Sequence, residues 1–105
     1  LINYSAQEVR RVDWLFGIGY DADLDEAKQT IREILEADER TLKEKPFTIE
    51  LAAMADSSLN IVARVWVNAP DYWDVHYAVN TAVFNTFKEK GISIPYPQMD
   101  VHLHK

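Results

Sequence analysis

Three histidines, a set of alternating aspartates and two adjacent serines are the side chains here with the type and spacing to do chemistry. His102 and His104 sit two apart, so a strand would place both on one face, where a metal ion could meet them. Two ligands do not complete a site, and His76 lies too far along the chain for spacing to supply a third. Asp21, Asp23 and Asp25 are like the start of a calcium loop, but that loop's glycine and closing glutamate are missing at their offsets. Helix capping is the use these aspartates fit. Ser57 and Ser58 have neither a neighbouring His nor a glycine-rich elbow and read as turn residues. With no P-loop and no GxGxxG either, no catalytic, cofactor or metal residue is expected, and the protein is not expected to be an enzyme.

Composition narrows the class further. The chain has 105 residues, enough for one compact domain with a modest core and too few for a second complete one. Its formal charge of −6 argues against nucleic-acid or anionic-lipid surfaces, which rest on clustered Lys and Arg; Arg10 with Arg11 is only a pair. No apolar run approaches the roughly 20 residues that cross a bilayer, and no signal-peptide pattern opens the chain, so a water-soluble domain is expected. The absence of an initiator Met before Leu1 suggests a piece of a longer protein. The absence of cysteine excludes disulfides and thiolate chemistry.

The elements follow from periodicity. Residues 12–20 read as a strand, with Val12, Trp14, Phe16, Ile18 and Tyr20 on one face and Asp13, Leu15, Gly17 and Gly19 on the other. The two glycines leave that second face open to close approach. Asp23 followed by Glu26 is capping-box-like and opens a helix whose apolar residues are Leu24, Ala27, Ile31, Ile34, Leu35 and Leu42. Between residues 21 and 44 stand nine acidic and four basic residues, which a solvated helix face explains, with an electrostatic surface beside a solute path as the sharper alternative. Residues 47–55 and 59–68 alternate as a hairpin around Asp56, Ser57 and Ser58, with Phe47, Ile49, Leu51 and Ala53 facing inward beside Ile61, Ala63, Val65 and Val67. Asn68 and Pro70 suit the start of a second helix that runs to about Lys90, followed by a short extended segment at residues 92–94. The order strand, helix, strand, strand, helix predicts an α+β, ferredoxin-like βαββα sandwich with a proline-linked C-terminal strand.

The second helix is apolar over more than half its circumference. Val75, Val79, Ala82, Val83 and Phe87 form the stripe a sheet would cover, while Trp73, Tyr77 and Phe84 lie on an adjoining one. That second stripe is a candidate subunit contact, with a bent sheet or the C-terminal tail as alternative covers. The tail has its own logic. Gly91 ends the helix, Pro95 and Pro97 make a stiff spacer, and Met99, Val101 and Leu103 alternate with Asp100, His102 and His104. A strand tethered beyond its own domain needs a partner, and another chain is the usual one.

The run GISIPYPQMDV at residues 91–101 resembles the C-terminal signature of the small-conductance mechanosensitive channel (MscS) family. Residues 9–31 resemble that family's first strand and acidic helix start, and residues 57–75 its central strand and second helix. The resemblance implies residues 1–8 as the remnant of a preceding all-β domain, 9–94 as the α+β cytoplasmic domain, and 95–105 as the proline spacer and oligomerisation strand. It further implies a homo-heptamer whose cytoplasmic domains enclose a vestibule crossed by ions and small solutes, attached to the inner membrane only through helices outside this sequence. Ring assembly, solute filtering and modulation of inactivation in osmotic pressure release would be its roles. Trp73, Tyr77, Phe84, Met99, Val101 and Leu103 are the candidate interface residues. The competing reading is a ferredoxin-like regulatory domain that binds a small ligand on its sheet through Gly17, Gly19, Arg64 and Trp66, since folds of this kind host many functions.

Overall fold

The computed structural model describes residues 8–95. Along the chain run strand β1 (Val9–Ile18), helix α1 (Leu24–Ala37), strands β2 (Thr48–Met54) and β3 (Leu59–Asn68), a 3-10 turn (Ala69–Asp71) and helix α2 (Tyr72–Lys90). The sheet order is β1-β3-β2, and both pairings are antiparallel. This is the α+β, βαββα arrangement expected, with the last strand of the hairpin at the centre.

The register explains why one face is dry. Val12 stands opposite Val65, Trp14 opposite Ala63 and Ile49 opposite Ala63, so inward side chains from all three strands share one face. Ile61, Ala63, Val65 and Val67 are fully buried there beneath Ala27, Ile31 and Leu35 of α1 and Val75, Val79, Val83 and Phe87 of α2. Each buried Ile or Leu contributes about 1.5–3 kcal/mol through the apolar area withdrawn from water.

Several local expectations need correction. Tyr20 lies beyond β1, is 53% exposed, and donates its hydroxyl to the carbonyl of Ala55 at the hairpin turn. Leu42 is not on α1. The helix ends at Ala37, the extended backbone of Asp38 breaks it, and Leu42 N–H donates to Trp66 O at 2.8 Å, beside a bridge between Thr41 and Val67. Ala53 is exposed because a register shift after Leu51 sets it opposite Asn60, inverting the alternation. The side chain of Asn68 forms no cap, and the 3-10 turn separates it from α2. Residues 92–94 are not assigned as a strand, although Ser93 O accepts a 2.9 Å hydrogen bond from Gly19 N–H.

The ends of both helices obey their sequence signals. The Asp23 carboxylate accepts from Glu26 N–H at 3.1 Å. Gly91 adopts φ +74°, with its N–H directed to Lys88 O and that of Ile92 to Phe87 O, the paired bonds of a Schellman motif. Ile92 is thereby turned under the sheet and buried. Replacing Gly91 with Ala should cost about 1–2 kcal/mol in urea unfolding, because a Cβ disfavours this backbone, and Gly91→Asn should retain part of the loss. An alanine variant as stable as the parent would contradict this cap's importance.

Candidate functional site: the exposed face of helix α2

Helix α2 has two apolar faces and only one is covered. Trp73, Tyr77 and Phe84 fall within about 40° of one another at 100° per residue, on the side away from the sheet. They are 56%, 61% and 55% exposed. The Trp73 and Tyr77 rings lie 5.8 Å apart and nearly parallel, and Tyr72 meets Trp73 edge-on at 4.9 Å. Large aromatic groups left in water on one ridge are a surface suited to a partner.

The start of this ridge is buttressed from β1. Trp14 Nε1 donates to His76 O at 3.2 Å, and its ring stacks on the His76 imidazole at 6.1 Å. Tyr72 also lies nearly parallel to that imidazole at 6.3 Å and carries the Arg10 guanidinium 4.1 Å from its ring centre. Sequence reasoning weighed His76 only as a ligand. Its spacing four residues from Tyr72 was the available signal, but the contact with Trp14 spans 62 positions.

Further along the helix, Phe84 also walls a groove of about 210 Å³ between α2 and β1, shared with Leu15, Gly17, Asn80 and Ile94. Leu15 and Ile94 are 63% and 41% exposed. Among the described residues no strand pairs with the outer edge of β1, so the groove runs beside unpaired backbone. Trp73, Tyr77 and Phe84 are thus brought onto one surface. Met99, Val101 and Leu103, like His102 and His104, lie outside the described residues.

The other sequence candidates disperse. Asp23 caps α1, and Ser58 Oγ pairs with Asn60 Oδ1 at 2.8 Å. Gly19 permits close approach as expected: a Cβ there would stand 2.7 Å from Ser93 Oγ and from Asp21 Oδ1. Gly17 belongs to the α2 groove, whereas Arg64 pairs loosely with Asp13 at 3.8 Å and Trp66 lies under Lys45, so the four residues of the ligand-binding reading do not share one cleft. Among the described residues no group of three or more His, Cys, Asp or Glu side chains could hold a metal ion. No described helix is long and apolar enough to cross a membrane.

An ion pair joins Asp38 and Arg40 in the turn after α1. Hydrogen bonds from the Arg40 guanidinium at 2.9 and 3.0 Å, then the Arg40 backbone N–H, hold the Asp38 carboxyl below the usual carboxylate range, against an opposing effect of burial. Arg40 is held protonated above its ordinary value first by Asp38 and also by Asp71 and Asp74 at the head of α2.

Comparison with known proteins agrees with this architecture. The family model described as "Mechanosensitive ion channel MscS, C-terminal" matches residues 12–94. A small-conductance mechanosensitive channel of Edwardsiella ictaluri is 42% identical over 105 residues, covering 100% of this chain and 37% of the channel. An MscS family protein of Synechocystis is 34% identical over 98% of this chain and 35% of its own length. The closed-state crystal structure of Helicobacter pylori MscS superposes with a TM-score of 0.80 at 28% identity, over 92% of this chain and 39% of that one. The fold and these matches define an MscS-type C-terminal α+β domain. The chain belongs to the MscS family of mechanosensitive ion channels and is its C-terminal domain, spanning little more than a third of the relatives it matches.

The Asp38 interaction makes a pH-dependent contribution. Its folded pKa lies below the unfolded value of roughly 3.9, so its stabilisation is present above that value and is lost as pH falls through the folded one. Asp38→Asn should therefore lower the melting temperature at pH 7, and the gap from the parent should close below about pH 4. Circular dichroism melts from pH 7 to pH 2.5 test this; a gap independent of pH would refute it.

Proposed function

We propose that this domain forms part of the cytoplasmic vestibule of a homo-heptameric mechanosensitive channel, at the inner face of the membrane. There it serves ring assembly, filters ions and small solutes, and modulates inactivation during osmotic pressure release. The carrying observation is the aromatic ridge of α2. Val75, Val79, Val83 and Phe87 already supply the α2 side of the core, and among the described residues nothing in the same copy covers Trp73, Tyr77 and Phe84. Family membership supports the channel role.

In this reading the terminal segment is a second contact. Ile92 closes the core, Pro95 stiffens the exit, and Met99, Val101 and Leu103 supply the apolar side of a strand whose copies join in a small parallel barrel. A closed barrel leaves no open edge.

The ridge is tested by Tyr77→Gln combined with Phe84→Gln, sparing Trp73 because it packs on Tyr72. Unfolding of the 105-residue domain should change by about 1 kcal/mol or less, since both side chains are more than half exposed. In the full-length protein the same pair should reduce the oligomer recovered in detergent, read by light scattering. Full recovery would contradict the assembly role of this face.

A further inference from the structure

The charge of the domain is inverted at one place. The chain has 11 basic against 17 acidic residues, yet a cavity of about 380 Å³ beside the second half of α1 is lined by Arg32, Lys43 and Lys45, with Glu36 as the opposing carboxylate and Phe47 as an apolar wall. The three cations differ in what they have left to give. Lys43 Nζ donates to the carbonyls of Asp38 and Thr41 and to the Thr41 hydroxyl at 2.8–3.0 Å, so its N–H groups are spent and its charge is fixed. Its anchor, Thr41, is itself buried and bonded to Leu35 O.

Arg32 meets Glu36 only at 3.8 Å, between side chains 41% and 54% exposed, a contact that holds the guanidinium weakly. Lys45 lies 5.7 Å over the Trp66 ring, and among the described residues it joins none of the ion pairs. Two cations with donors to spare therefore face a third whose position is fixed.

We propose that this cavity is a binding site for a small dianionic oxyanion, a phosphate or a dicarboxylate. Arg32 offers a two-pronged fork matched to a carboxylate or phosphate edge, and Lys45 takes the second charge. Lys43 adds a fixed positive field, and Phe47 forms an apolar wall that the methylenes of a dicarboxylate can meet. Glu36 weakens the site by repulsion. The site is separate from the α2 ridge, so its failure would leave the assembly reading untouched.

The test is calorimetric titration of the 105-residue chain with inorganic phosphate and, separately, with succinate at low ionic strength, where screening is least. Saturable binding of at least one anion is expected, with the preferred one identifying the oxyanion. Arg32→Gln and Lys45→Gln should each weaken it about fivefold, the share of one exposed charge contact. Glu36→Gln should tighten it, and Lys88→Gln, on α2 and not among the cavity's lining residues, should leave it unchanged. Circular dichroism of each variant separates lost binding from lost fold. No saturation by either anion, an equal loss with Lys88→Gln, or weaker binding with Glu36→Gln would overturn the proposal.

Discussion

The inward face of β3 is the constraint on which the other elements depend. Ile61, Ala63, Val65 and Val67 are wholly buried, and the strand is hydrogen-bonded on both sides, so neither its face nor its edges can tolerate a slip by one residue. Helices α1 and α2 each contribute one stripe to cover that face. A sheet of three strands has no more dry surface to offer, which leaves the second apolar stripe of α2 in water.

That leftover surface gathers features that are separate in the sequence. Phe84 borders both the ridge and the groove, Leu15 joins the groove from β1, and Ile94 closes it near the chain's exit at Pro95. The unpaired edge of β1 runs alongside. Ridge, edge and exit therefore lie together.

Much of this was legible because the strongest signals are local. The period-two pattern of residues 61–67, the Asp23 cap and the αL glycine at Gly91 each follow from neighbouring residues, and all three appear in the structure. The helical period likewise placed Trp73, Tyr77 and Phe84 on one stripe, and the structure shows all three exposed. The family was readable because its resemblance extends from the first strand to GISIPYPQMDV. What escaped depends on distance or backbone irregularity. A register shift turned Ala53 outward, and Leu42 left the helix to bond Trp66. The Trp14, His76 and Tyr72 stack joins positions whose proximity only the tertiary fold creates. The basic cavity draws on α1 and the loop before β2, so linear charge counting averaged it into an acidic segment.

Ile92 is the last buried residue among those described, and in the proposed reading the remaining apolar surface serves other copies. Deleting residues 99–105 tests it most directly, with thermal unfolding of the isolated domain and light scattering of the full-length protein compared side by side. The domain's melting temperature should stay nearly unchanged while the full-length protein yields less closed oligomer. Loss of folding in the isolated domain would show that the tail belongs to its own core and would contradict the account.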